Sequence, residues 1–283
     1  MTKRKRALKR GLFGAAVAAA LLAGAAAEAA AVSVYPTAVF IDSRTRTATL
    51  TLTNDGLRAE EIEISFAFGM PVADEFGLVR VAFMDSVGST VPSVVPYIRA
   101  FPQRMRLEPG QTQVVRLLVQ PPAGLPDGEY WGRVMVASVG GQAPVEQRQG
   151  DITMQINIRT VIAIGVYYRS GQVETSLAVE NARASLEEGR AQLFLSLDRG
   201  GNAATIGRVV AELVDPQGTV VAEHTESIAV HQDMLWRVDI PLPADMPAPG
   251  PGYTVRYLIE ARRDDLDTQL LRVEPIRGVV PIP

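Results

Sequence analysis

The chain of 283 residues has no cysteine, only two histidines and, beyond residue 9, no lysine. Without thiols it forms no disulfide and no Cys-ligated zinc or iron–sulfur centre. His224 and His231 alone do not make a multi-histidine metal site, and a Ser-His or Cys-His catalytic pair has almost nothing to draw on. Glycine-rich loops of phosphate-cradling spacing are missing too; Gly140-Gly141 falls in a polar stretch, 139–150, that reads as a loop. No long run has helical period. These absences exclude most familiar enzyme chemistry, so the expectation is a non-enzymatic protein with no cofactor and no bound metal.

What is present begins with charge. Lys3, Arg4, Lys5, Arg6, Lys9 and Arg10 crowd the first ten positions, and residues 11–27 carry no charge and many alanines. Ala27-Glu28-Ala29 and Ala29-Ala30-Ala31 then offer small residues at cleavage-site spacing, completing a secretory signal peptide over residues 1–31. An uncleaved anchor is the alternative, but an apolar run of about 17 Ala- and Gly-rich residues is short and weakly apolar for a stable span. A basic nucleic-acid arm does not fit the apolar run directly behind it. Removing residues 1–31 takes six of the 28 basic and one of the 31 acidic side chains, leaving 22 and 30 and a net charge of −8. Every remaining cation is an arginine, and an acidic surface gives nucleic acid no electrostatic hold. No later segment is apolar enough to span a bilayer, and an exported chain without disulfides has to be stabilised by packing.

From Val32 onward the pattern is two-residue alternation broken by Pro and Gly, which predicts an all-β fold. Strands are expected at 47–53, 61–68, 112–119 and 129–137, separated by the turns Asn54-Asp55-Gly56, Glu108-Pro109-Gly110 and Leu125-Pro126-Asp127-Gly128. The longest alternation is 151–168, with Ile152, Met154, Ile156, Ile158, Ile162, Ile164, Val166 and Tyr168 on one parity. It would extend nearly 60 Å at ~3.3 Å per residue, about three usual strands. It is either a single long strand or two consecutive strands, one ending a first domain and one opening a second. The pattern restarts at 173–179 and continues through 191–197, 207–214, 220–223, 235–240 and 253–262. This density predicts two immunoglobulin-like β-sandwiches, 32–168 and 169–283. Residues 186–190 read as a turn, 241–252 as a loop, and the tail 275–283 as either disordered or a closing edge strand.

Five motifs stand in order: Val34-Tyr35-Pro36-Thr37-Ala38-Val39-Phe40; Thr47-Ala48-Thr49-Leu50-Thr51-Leu52-Thr53-Asn54; Phe101-Pro102-Gln103-Arg104-Met105-Arg106-Leu107-Glu108-Pro109-Gly110-Gln111, running into Val114-Val115-Arg116-Leu117; Leu125-Pro126-Asp127-Gly128-Glu129-Tyr130; and Val166-Tyr167-Tyr168-Arg169. Together, over residues 32–169, they resemble the N-terminal domain of PapD-like periplasmic pilus-assembly chaperones. The second half resembles that family only as a sandwich of suitable size. The resemblance implies a periplasmic chaperone or assembly factor whose partners are secreted pilin-like or other β-sandwich subunits. It also implies that an edge strand is lent to an incomplete subunit, alternate apolar side chains filling the subunit's groove. On the strand where the family places this comb stand Ile152, Met154, Ile156 and Ile158. Family members hold the subunit's C-terminal carboxylate with an arginine and a lysine, and those positions are Ala38 and Gly165 here. Arg159, of the same parity as Gly165, is the candidate substitute, its alternative being a solvated strand-face arginine. The missing pair keeps a second function open: a structural or adhesive envelope protein of two complete immunoglobulin-like modules, with self-association.

Other candidate chemistry is sparse. Asp264-Asp265-Leu266-Asp267 clusters carboxylates, but its spacing matches no calcium loop and it is expected to be a polar hairpin turn. Glu60-Glu61-Ile62-Glu63 reads as a solvent face and both histidines as surface residues. Trp131 and Trp236 read as core or sheet-surface residues.

Overall fold

The computed structural model describes residues 32–84, 88, 91–139, 145–149, 152–156, 159–187, 189–244, 246, 250–266 and 270–283, with backbone alone for those between 139 and 156. The expected signal segment lies outside them. Twelve strands come first: β1 (Val32–Tyr35), β2 (Ala38–Asp42), β3 (Thr47–Asn54), β4 (Glu60–Ala73), β5 (Val79–Met84), β6 (Ile98–Phe101), β7 (Arg104–Leu107), β8 (Thr112–Val119), β9 (Gly128–Val139), β10 (Val145–Gln149), β11 (Ile152–Ile156) and β12 (Arg159–Ser170). Seven follow: β13 (Thr175–Glu187), β14 (Arg190–Gly201), β15 (Thr205–Val214), β16 (Val220–Val230), β17 (Met234–Pro241), β18 (Thr254–Glu260) and β19 (Ile276–Pro281). One 3-10 turn, Val95–Tyr97, is the helical structure among the described residues. The protein is all-β, built of two immunoglobulin-like sandwiches.

In the first sandwich a sheet of order β1-β3-β8-β6 faces one of order β2-β12-β9-β4-β5, with β7 also on β4. Alternation decides what lies between them, because successive side chains of a strand point to opposite faces. Leu50 and Leu52, Ile62 and Ile64, Val115 and Leu117, Val134 and Val136, and Ile164, Val166 and Tyr168 form the buried core. In the second sandwich β13-β14-β17 faces β16-β15-β18-β19 around Leu193, Leu195, Val209, Leu213, Trp236, Val238 and Ile259. The tail is the closing edge strand: β19 pairs with β18, and Val280 and Ile282 are buried.

Several expectations need correction. Of the run 151–168 the structure describes two pieces, in β11 and β12, residues 157–158 lying outside the described residues. Its second piece does not open the second sandwich; β12 lies in the first sandwich's sheet between β9 and β2. Glu60 is buried, its Oε2 accepting a hydrogen bond from Ser138 Oγ at 2.8 Å, so the acidic run is not all solvent face. His231 is buried as well, only 3% exposed. Asp264 and Asp265 do sit in a turn between the antiparallel neighbours β18 and β19, but within a connection that spans 261–275 rather than a tight hairpin.

Two departures from simple sheets bring the sandwiches together. β4 leaves β9 after Ala67 meets Arg133, and continues with β5 as a hairpin reaching the second sandwich. At its tip Gly77 O accepts a hydrogen bond from Arg237 N at 2.9 Å. Gly77 has φ +74°, and a Cβ there would lie 3.1 Å from Arg237 N, so both conformation and contact call for glycine. The place vacated beside β9 is taken by the segment before Val95, with Trp131 N donating to Pro92 O and Val94 N to Trp131 O.

Leu52 is fully buried and Leu57 is 87% exposed. Leu52→Ala is expected to cost about 2–5 kcal/mol and Leu57→Ala less than about 0.5, read as denaturant midpoints at constant slope.

Candidate functional site

The first component is an arm. β9 and β12 pair antiparallel along their length, Arg159 opposite Val139 and Ser170 opposite Gly128. β2 joins the other edge of β12 only at 165–169. Over 159–164, among the described residues, that edge of β12 has no strand on it and presents main-chain donors and acceptors. Before it, β10 and β11 form a hairpin of their own, Val145 opposite Ile156 and Gln149 opposite Ile152, joined to no other described sheet. Ile152, Met154 and Ile156 stand at alternate positions of β11; their side chains, and Ile158 altogether, lie outside the described residues. Arg159 sits at the end of β12 remote from Gly165, its side chain 57% exposed and its Nη2 3.5 Å from Glu63 Oε2.

The second component is the seam between the sandwiches. Ala38 and Gly165 lie side by side in the parallel β2–β12 pair. Both are buried, and neither offers a charged side chain. The space is used by neighbours. A Cβ on Gly165 would lie 2.9 Å from Tyr167 Cε2 and 3.3 Å from Nη1 of Arg133, the residue opposite it on β9. Arg133 is half-buried, and its Nε donates to Gly69 O at 3.1 Å. The Tyr167 ring stacks on Phe40, centroids 5.0 Å apart. Burial pushes the Tyr167 phenol up to about 12, against the opposing pull of the Arg133, Arg263 and Arg169 charges. From the second sandwich, Arg263 Nη2 donates to Thr37 Oγ1 at 2.9 Å, and Asp265 is hydrogen-bonded to both Thr37 and Arg263. The hydrogen bond from the Arg263 guanidinium is the main reason the Asp265 carboxyl lies below its ordinary range.

Deeper in the seam is a carboxylate that sequence reasoning passed over. Glu129 is 1% exposed; its Oε1 accepts from Trp131 Nε1 at 2.9 Å and from Ala204 N at 3.1 Å, and its Oε2 from Arg169 Nε at 2.9 Å. Ala204 precedes β15, so one buried acid joins both sandwiches. Beside it the His231 ring meets Trp131 edge-on at 4.7 Å and Tyr167 at 5.8 Å. Period two does place Glu129, Trp131 and Arg133 on the face opposite the core-bound Val134 and Val136. A tryptophan between two charges at alternate positions was the available signal.

Among the described residues no group of His, Asp and Glu is arranged to hold a metal, and no helix is long and apolar enough to cross a membrane. No family model matches the chain, and no curated protein matches it. Among solved structures the chain is similar to the YadV chaperone, with 14% identity over 89% of this chain and 100% of that one, TM-score 0.44. It is similar to a chain in the complex of Salmonella enterica SafA pilin with the SafB chaperone, at 15% over 90% and 98%, TM-score 0.43. The E. coli chaperone DraB gives 14% over 87% and 95%, TM-score 0.42.

Glu129→Ala removes one partner of a buried ion pair and leaves Arg169, Trp131 Nε1 and Ala204 N to be satisfied anew. The expected loss is about 3–5 kcal/mol in denaturant unfolding, together with a shift in tryptophan emission. Burial pushes His231 down to about 3 from its ordinary value of 6.5. Between those values the unfolded chain binds a proton that the native protein refuses. Its contribution is therefore intact above about pH 6.5 and falls by up to about 1.4 kcal/mol per pH unit below it. Comparing the pH dependence of stability in the native chain and His231→Gln isolates this slope, which the variant is expected to lack.

Proposed function

We propose that the protein is a non-enzymatic periplasmic chaperone or assembly factor of the PapD-like kind, with modules at 32–168 and 169–283, that binds secreted pilin-like subunits by lending them an edge strand. The observation that carries this reading is the arm: a β10–β11 hairpin that, among the described residues, pairs with neither sandwich, followed by a stretch of β12 whose edge carries no described strand. A donor needs unpaired main-chain groups beside a comb of alternate apolar residues, and Ile152, Met154, Ile156 and Ile158 supply the comb by sequence. Burying four such side chains in a subunit is worth roughly 1.5–3 kcal/mol each before ordering costs. The order of the five motifs and the convergence of Ala38 with Gly165 at the root of the arm support the same assignment. For a subunit's terminal carboxylate, Arg133 is the better placed cation. It stands over Gly165 with Nε on a backbone carbonyl, whereas Arg159 lies at the exposed end of the strand on Glu63.

A second reading has one observation in its favour. The second sandwich already touches Thr37 beside Ala38 through Arg263 and Asp265, as it would in an envelope protein whose modules need no subunit.

Met154→Asp with Ile156→Asp separates the two. Among the described residues β11 pairs with β10 alone, so the double variant is expected to unfold at an unchanged temperature. Charges placed in an apolar groove are expected to abolish co-purification of a smaller β-rich subunit from the periplasm. Recovery of that subunit with both proteins, or of none with the unaltered chain, would sink the donor reading.

A further inference from the structure

Strands β18 and β19 are antiparallel neighbours, Ile259 opposite Ile276. Hairpin loops of this kind usually take about 2–5 residues, and connections beyond about 12–15 without structure of their own are uncommon and usually functional. This one runs from 261 to 275 and does not hang free where it is described. Arg262 Nε holds Asp264 Oδ1 at 3.0 Å, and Asp264 Oδ2 lies 3.3 Å from Arg208 Nη1, which fixes the strap to β15. Its next residue, Asp265, crosses to the first sandwich and meets the Thr37 hydroxyl with Arg263. Leu266 and Leu270 pack against the cluster of Ala38, Tyr167 and Trp131. A carboxylate flanked by apolar side chains thus lies on the seam beside Ala38 and Gly165, which is the chemistry of a chain end lodged in a cleft.

We propose that this β18–β19 strap is an internal occupant of the seam: Asp265, Leu266 and Leu270 cover the surface that a subunit's C-terminal carboxylate and last apolar residues require, so that a subunit binds by displacing it. This rests on the reading of the seam as a carboxylate site. The strap is suited to displacement. Its link to the first sandwich is a hydroxyl–carboxylate–guanidinium contact with two half-buried leucines, and Arg263 is carried on the strap itself, so release takes Asp265's counter-ion with it. A subunit carboxylate then meets Arg133, which belongs to β9 and stays.

A chain without cysteine makes the test simple, since a single disulfide can tie the strap down. Thr37→Cys with Asp265→Cys joins two side chains that touch. The probe is a labelled peptide of alternating valine and threonine ending in a free carboxylate, and its C-terminal amide is the control, both measured by fluorescence polarisation on the chain from residue 32. The oxidised protein is expected to bind the acid peptide at least about tenfold more weakly than the reduced one, the effect of about one hydrogen bond to a charged group. Asp265→Asn with Leu270→Ser, which loosens the strap without a crosslink, is expected to bind like the reduced form. Equal affinity in both redox states, failure of the crosslink to form, or no binding by the reduced protein overturns the proposal. If acid is preferred over amide and neither affinity changes with redox state, the carboxylate site stands and the strap does not cover it. If reduction strengthens binding but acid and amide bind equally well in each state, the strap covers the seam and the carboxylate reading fails.

Discussion

A carboxylate sealed from water has to be answered by donors, and at Glu129 every answering donor belongs to a different part of the seam. Arg169 comes from the end of β12, Trp131 from two positions along β9, and Ala204 N from the start of the second sandwich. An ion taken out of water costs several kcal/mol unless such partners are in place, so the two sandwiches cannot turn against one another without leaving part of this web unpaired. The backbone adds to it: Glu129 N donates to Asn202 O at 3.0 Å. Asn202 in turn holds the linker after β12 by donating to Gln172 O and accepting from Glu174 N. The free edge of β12 and the surface over Ala38 are held in fixed relation because this one acid is satisfied from both sides.

The small residues at 38 and 165 follow from what surrounds them. Gly165 leaves no room for a side chain, because the Tyr167 ring and the Arg133 guanidinium occupy the space that one would enter. The aromatic pair Phe40 and Tyr167 builds a flat floor there, and Arg133 stands directly opposite Gly165 on β9.

Period-two alternation made the strands and their inward halves legible. Leu50, Leu52, Ile62, Ile64, Val134, Val136, Ile164 and Val166 are apolar at every second place and all are buried. What alternation does not carry is what covers the other face. His231, Trp131 and Tyr167 lie on outward faces by local pattern, and they are buried because a second sandwich arrives from far along the chain. Glu60 was misread for the same kind of reason: its hydrogen-bond partner, Ser138, is remote in sequence and adjacent only through the β4–β9 pairing. The acidic residues 264 and 265 carry turn chemistry locally, and only the pairing of β18 with β19 shows how much chain lies between. Of the candidate site, the alternation of Ile152, Met154, Ile156 and Ile158 is visible in the sequence because it is a local repeat. Arg133 could not, because its place over Gly165 exists only in the register of β9 against β12.

The parallel pairing of β2 with β12 also imposes an order of events as the chain is made. β2 ends at Asp42, while its partner residues are 165–169. A chain made from the N-terminus therefore delivers the first strands of the sandwich early and leaves β2 without its neighbour until nearly the whole first module has arrived. β9 waits for the same strand. Contacts so distant in sequence close slowly, since loop entropy is spent before they return anything. The growing chain thus carries an open sheet edge until β12 arrives to close it.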